Sequence, residues 1–171
     1  MEFYEVVETR RSIRSFRADP VPQASLQRVL EAVRIAPSGS NRQPWKFYVV
    51  KDSDKRRRVA EACRGQTWIA GAPVVIVAAG WKIPFNRGGY MGEMGFIMDV
   101  SIAFTHLVLA ARAEGLGTCW IGDFDNSKVK EALGLPGDQH VVAVTPLGYP
   151  DKQGFTANTG RKPLAEIAEE I

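Results

Sequence analysis

The 171-residue chain is 45% apolar and 24% charged. That is enough to bury one core of about 70% of the unfolded surface, and it excludes disordered, collagen-like and disulfide-scaffold classes. The net charge of +3 is uneven, because residues 1–70 carry 14 Lys/Arg against 8 Asp/Glu while residues 71–171 carry 8 against 11. A basic front half leaves open nucleic acid, a membrane surface or a phosphorylated small molecule as partner.

Glu2–Thr9 reads as a short helix, followed by the basic turn Arg10–Arg17. Pro22–Ala36 is a second helix, with Leu26, Val29, Leu30 and Val33 at i, i+3, i+4 and i+7. Pro37–Pro44 is a loop, Lys46–Lys51 a strand, and Asp52–Gly65 a charged helix with Asp52, Ser53 or Asp54 as candidate cap. Pro73–Gly80 is continuously apolar and so expected at the centre of its sheet. A loop from Trp81 to Gly92 leads to a helix over Glu93–Glu114, then a short strand Thr118–Ile121, a helix Asn126–Leu133 and a strand His140–Leu147. Gly148–Pro163 is aperiodic, as functional loops or arms reaching elsewhere are. The order is not a regular βαβ alternation, so an α+β fold in one domain over 1–171 is expected.

The run Met94–Ala111 is mostly apolar, but Asp99 interrupts it and leaves twelve uncharged residues from Val100 to Ala111. That is short of the ~30 Å of hydrocarbon a span must cross. It reads as a buried helix, apolar nearly all round, which points to a subunit interface. Cys63 and Cys119 form no metal or redox spacing and fit reduced thiols in the cytoplasm. Met1–Glu5 carries no secretory signal pattern. No G-x-G-x-x-G follows a strand, and Gly117–Gly122 continues into Asp123-Phe124 instead of the P-loop Lys-Ser/Thr. His106 and His140 lack a third ligand, so they read as a hydrogen-bonded core histidine and a surface one. Cys119 reads as a structural thiol.

Two features carry chemistry. Arg10-Arg11-Ser12-Ile13-Arg14 sets cations and a hydroxyl where they can converge on a phosphate, through charge-assisted bonds of roughly 1.5–3 kcal/mol each. A solvated basic face explains this turn equally well. Pro37-Ser38-Gly39-Ser40-Asn41-Arg42-Gln43-Pro44-Trp45 is a proline-bracketed loop dense in hydroxyl and amide groups, suited to reading the edge of a planar heterocycle. An ordinary polar loop is the alternative, with Trp45 in the core.

These residues, with Ser15-Phe16, resemble the FMN-dependent nitroreductase family. Gly115-Leu-Gly-Thr-Cys-Trp-Ile-Gly122 is similar to that family's third signature, and Leu147-Gly-Tyr-Pro150 with Arg161-Lys-Pro-Leu164 to its ending. The matches keep the family's order over nearly the whole chain. The resemblance implies an α+β nitroreductase-like fold, a central, mostly antiparallel sheet flanked by helices. It also implies an intertwined homodimer whose arm, from about 149 to 171, reaches the partner. FMN would be the cofactor and NADH or NADPH the co-substrate. Arg10 and Arg161 would bind the FMN phosphate, with Arg11 and Ser12 beside them, and Arg14 would lie near flavin N1/O2. Pro37, Ser38, Gly39 and Asn41 would contact the flavin from the other subunit. Ile121, Gly122 and Asp123 would line one face, with a backbone N–H toward N5. Gln66 would approach the pyrimidine, though no motif anchors it.

Family members often carry a second cation two residues before the terminal arginine. Thr159 stands there, leaving Lys162 as the substitute. Trp81–Gly92 is short beside the lids of larger relatives, which argues against lid-dependent dehalogenation or flavin destruction. The implied activity is ping-pong hydride transfer from NAD(P)H through flavin N5 to a nitroaromatic, quinone or similar acceptor, with no catalytic side chain and no metal. Two rival readings are a flavin store or redox partner without NAD(P)H turnover, and a nucleic-acid or phosphate-binding module using the basic front. Against the latter, Arg56-Arg57-Arg58 falls on a helix whose successive residues point different ways, and stacking aromatics are lacking. No nucleic acid and no membrane partner are expected.

Overall fold

A computed structural model of the chain describes residues 1–83, 89–152, 154–155 and 160–171. Four strands, β1 (Trp45–Val50), β2 (Val74–Gly80), β3 (Gly117–Thr118) and β4 (His140–Gly148), form one antiparallel sheet in the order β1-β2-β4-β3. Continuously apolar β2 lies between β1 and β4 and is buried along its whole length, as a strand covered on both faces must be. The helices are α1 (Phe3–Thr9), α2 (Gln23–Arg34), α3 (Ser53–Ala62), α4 (Phe96–Ala113) and α5 (Asn126–Leu133).

The period-2 alternation of β2 sends Val75 and Val77 to one face, where they pack with Val59 of α3 and Val129 of α5. Val74 and Ile76 go to the other face, with Leu26, Val29 and Val33 of α2 and Ala103 and Leu107 of α4. The result is helices on both faces of an antiparallel sheet, an α+β arrangement. Of the three candidate caps for α3, Asp52 is the one used, accepting from Lys55 N at 2.8 Å. Asp125 does the same for α5, which ends on Gly134 at φ 65°. Arg57 pairs with Asp54, while Arg56 turns inward to the carbonyls of Ala70 and Ala72.

Two expectations shift. The predicted strand Thr118–Ile121 is only Gly117–Thr118, because Cys119 N donates to the Thr145 hydroxyl and pairing resumes in a single bridge from Ile121 to Val144. The predicted helix start at Glu93 is replaced by a 3-10 segment, Gly89–Gly95, and α4 begins at Phe96. By length and composition Gly92–Ala113 could cross a membrane. In this fold Phe96, Val100, Ala103, Phe104, Leu107 and Ala111 of α4 are buried inside the protein. Its opposite side is exposed at Met98 and Ile102, so the helix is not enclosed all round by its own chain.

Candidate functional site

After α1 the basic segment runs extended alongside β3 and the end of β4. Ile13 N donates to Thr118 O at 2.8 Å, Arg17 N to Tyr149 O at 2.9 Å, and Asp151 N to Ser15 O at 3.0 Å. Ile13 is fully buried and packs where Gly117 has no side chain. Alternation then places Ser12 and Arg14 on the opposite side of the segment. Burial pushes the Cys119 thiol up, and Arg14, a hydrogen bond from Ser12, and Arg10 oppose that rise. The buried thiol therefore lies within reach of Ser12 and the charges of the basic turn, a proximity invisible in sequence.

Arg10 reaches a cavity of about 460 Å³ walled by Val7, Thr105, Val108, Leu109 and Trp120, and Arg161 enters the same cavity from the C-terminal end of the chain. No carboxylate lines it among the described residues. Two arginines from opposite ends of the sequence thus line one apolar-walled recess beside Thr118, the Arg161 guanidinium also donating to Gly160 O at 3.0 Å, an arrangement suited to an anion.

The other predicted cations are placed differently. Arg11 folds back on α1 and donates to the carbonyl oxygens of Glu8 (2.5 Å) and Arg10 (2.8 Å), satisfying the helix C-terminus. Lys162 pairs with Glu166 at 3.7 Å on the surface. Thr159 lies outside the described residues, as do residues 84–88 of the predicted loop Trp81–Gly92.

The loop before β1 is stitched to itself. Gln43 N donates to Ser38 Oγ at 2.9 Å, Asn41 N to Ser38 O at 2.9 Å, and Gln43 Nε2 to the Asn41 carbonyl oxygen at 3.2 Å and to Asn41 Oδ1 at 3.1 Å. Ser40, Asn41 and Gln43 adopt φ of 52°, 54° and 50°, left-handed values that non-glycine residues rarely take. Pro37 is exposed at its start, Pro44 is buried at its end, and Trp45 packs on the core as expected. Gly39 N donates to Asp99 Oδ1 at 2.9 Å, so that amide is already committed.

Ile121, Gly122 and Asp123 follow β3. Ile121 N is used by Val144 O at 2.9 Å, whereas Gly122 and Asp123 make no backbone hydrogen bond among the described residues. A Cβ on Gly122 would meet nothing within 4 Å, so that position faces open space, whereas Ile121 is buried in the core. Asp123 stands 3.4 Å from Arg64 Nε at the end of α3. Gln66 is half-buried just beyond, its N–H on Cys63 O at 3.2 Å.

His106 is half-buried and hydrogen-bonded, its Nδ1 3.2 Å from Ala32 O, while His140, expected at the surface, is also half-buried with its ring 5.7 Å from that of Phe96. Sequence reasoning missed Trp120, Thr105 and Leu109 as cavity walls. It noticed Asp99 only as a break in hydrophobicity, although a lone charge inside an apolar helix was itself the signal.

Several large apolar side chains are exposed. Phe3, Tyr4 and Val7 of α1, Met98 and Ile102 of α4, Trp120, and Leu164 and Ile167 of the terminal 3-10 turn are each at least 40% exposed.

The nitroreductase family model matches residues 7–86 and 63–149. An NADH dehydrogenase of Thermus thermophilus is 34% identical over 187 aligned residues, covering 92% of this chain and 90% of that protein. A nitroreductase family protein from Clostridium novyi NT superposes with a TM-score of 0.84 at 35% identity, covering 92% of this chain and 89% of that one. The NADPH:FMN oxidoreductase of Vibrio harveyi, solved in complex with NAD+, superposes with a TM-score of 0.87 at 26% identity, covering 98% and 76%. Sequence order, fold and these matches agree: the chain belongs to the nitroreductase family.

Proposed function

We propose that the protein is an FMN-dependent NAD(P)H oxidoreductase acting as a homodimer. Membership in the family implies an oxidoreductase, and one observation carries the reading further: Arg10 and Arg161 line one recess that has no carboxylate among the described residues. The donor set fits a phosphomonoester with an attached planar ring. Two forked cations and the Ser12 hydroxyl suit the phosphate, and the N–H groups at Gly122 and Asp123, unbonded among the described residues, suit a ring-edge acceptor. When bound, FMN supplies the redox chemistry, passing a hydride from NADH or NADPH to an electron-poor acceptor such as a nitroaromatic or quinone in a ping-pong cycle.

The chain's own residues bind and tune. Arg10 and Arg161 hold the phosphate, assisted by Ser12, with Arg11 capping α1 behind them and Lys162 adding positive charge nearby. Arg14 presents a cation to the N1/O2 edge, where negative charge develops on reduction. Gly122 and Asp123 offer backbone N–H groups toward N5 beside Ile121, and Gln66 lies toward the pyrimidine. Pro37, Ser38, Gly39 and Asn41 contact the ring of the partner's cofactor. The exposed apolar surface on α1, α4 and the terminal turn is what a second copy would cover, and the V. harveyi NADPH:FMN oxidoreductase supports both cofactors by likeness.

The test is the visible spectrum of the purified protein before and after anaerobic NAD(P)H, with sedimentation to give the assembly. A flavin spectrum that bleaches and returns on adding a quinone is expected, from a particle of twice the chain mass. A colourless protein that takes up no added FMN overturns the assignment and sends the basic front to a salt-dependent nucleic-acid binding assay.

A further inference from the structure

Asp99 is 7% exposed and is the one Asp, Glu, Lys or Arg between Met94 and Ala111. No ion pair compensates it among the described residues. Burying a carboxylate in such a setting is costly unless it is hydrogen-bonded or favourably placed in a dipole. It lies in the first turn of α4, where the helix dipole favours a negative charge. Its Oδ1 accepts Gly39 N–H at 2.9 Å, from a loop 60 positions away in the chain. The loop held there is the strained one, with Ser40, Asn41 and Gln43 in the left-handed region. Such strain persists only where surrounding contacts over-determine it, and it clusters at ligand clamps.

We propose that Asp99 is a positioning residue: through Gly39 it holds the Pro37–Pro44 loop in the left-handed conformation that presents Ser38 and Asn41 to the cofactor. This rests on the FMN reading above. Asp99 does not touch the recess of Arg10 and Arg161. The nearest wall of that recess on α4, Thr105, is six residues further along the helix, about 9 Å by helical rise. Its effect therefore passes through the loop, and under the dimer reading the loop it holds serves the partner's ring.

The experiment uses the full chain as Asp99→Ala and Asp99→Asn, with hydrogen exchange measured on the cofactor-free protein and FMN affinity measured by fluorescence titration. In Asp99→Ala the amides of residues 38–43 are expected to exchange about tenfold faster or more, the scale of one charge-assisted hydrogen bond. Amides of α4 beyond Phe104 should keep wild-type protection. FMN binding should weaken about tenfold or more for the same reason. Asp99→Asn retains an acceptor without the charge and should fall between the two, and it decides the matter if the alanine variant does not fold. Wild-type exchange in the loop of the variants overturns the proposal, and so does a loosened loop with unchanged FMN affinity. Wild-type protein that takes up no FMN sinks the cofactor reading instead, while the exchange result still judges the anchor.

Discussion

Gly117→Ala tests whether the fold holds the basic segment in place. A Cβ at Gly117 would stand 2.8 Å from Ile13 Cγ1, 2.9 Å from its Cβ and 3.0 Å from its Cγ2. Comfortable carbon contacts are about 3.5–4.0 Å, so the two chains must part by most of an ångström. Ile13 cannot swing aside easily, being fully buried and β-branched, with its backbone bonded to Thr118 O at 2.8 Å. Overpacking of this kind costs about 1–3 kcal/mol. For a chain of this size about 2 kcal/mol lowers Tm by about 4–8 °C. Gly137→Ala is the control, since nothing lies within 4 Å of its added Cβ, and a compatible Gly→Ala change is neutral or slightly stabilising. Thermal unfolding of both variants reads the packing, and an FMN titration reads the site, because Arg10, Ser12 and Arg14 flank the displaced Ile13. Affinity is expected to fall about tenfold, the worth of one weakened charge-assisted bond. Melting within a degree of wild type would refute the packing argument. A lowered Tm with unchanged FMN affinity would refute the role of the segment.

Arg10→Ala and Arg161→Ala should each weaken FMN binding roughly ten- to hundredfold, and more than Arg11→Ala, whose guanidinium caps α1; equal affinities for all three would remove the shared recess from the argument. Arg14→Ala should lower the flavin midpoint potential more than it weakens FMN binding, and an unchanged potential would end that role. Burial, with the charge of Asp123 adding, pushes the Cys63 thiol up to about 12. The folded chain therefore keeps a proton that the unfolded chain loses near pH ~8.5, so this contribution to stability is full below that pH and declines as pH rises towards 12. Cys63→Ala should flatten stability-versus-pH over that window; parallel profiles would contradict it. The same burial predicts no reaction of Cys63 with a thiol reagent at neutral pH until the protein is denatured.

Much of the fold was legible in the chain because its signals are local. The i, i+3, i+4, i+7 pattern of α2, the cap candidates at the start of α3, and the unbroken apolar run of β2 each set an element through neighbours in sequence. The site motifs were legible as well, since Arg10–Arg14, Pro37–Trp45 and Gly115–Gly122 are short and ordered along the chain. What sequence spacing could not carry was which distant groups meet. Only the folded chain brings Arg161 into the recess of Arg10, turns Arg11 back onto α1 and commits Ile121 N–H to Val144. Asp99 shows the reason most plainly. In sequence it is a blemish in a hydrophobic run. In space the α4 dipole and the Gly39 amide satisfy its charge, because a buried carboxylate is tolerated only where packing supplies partners that periodicity does not encode.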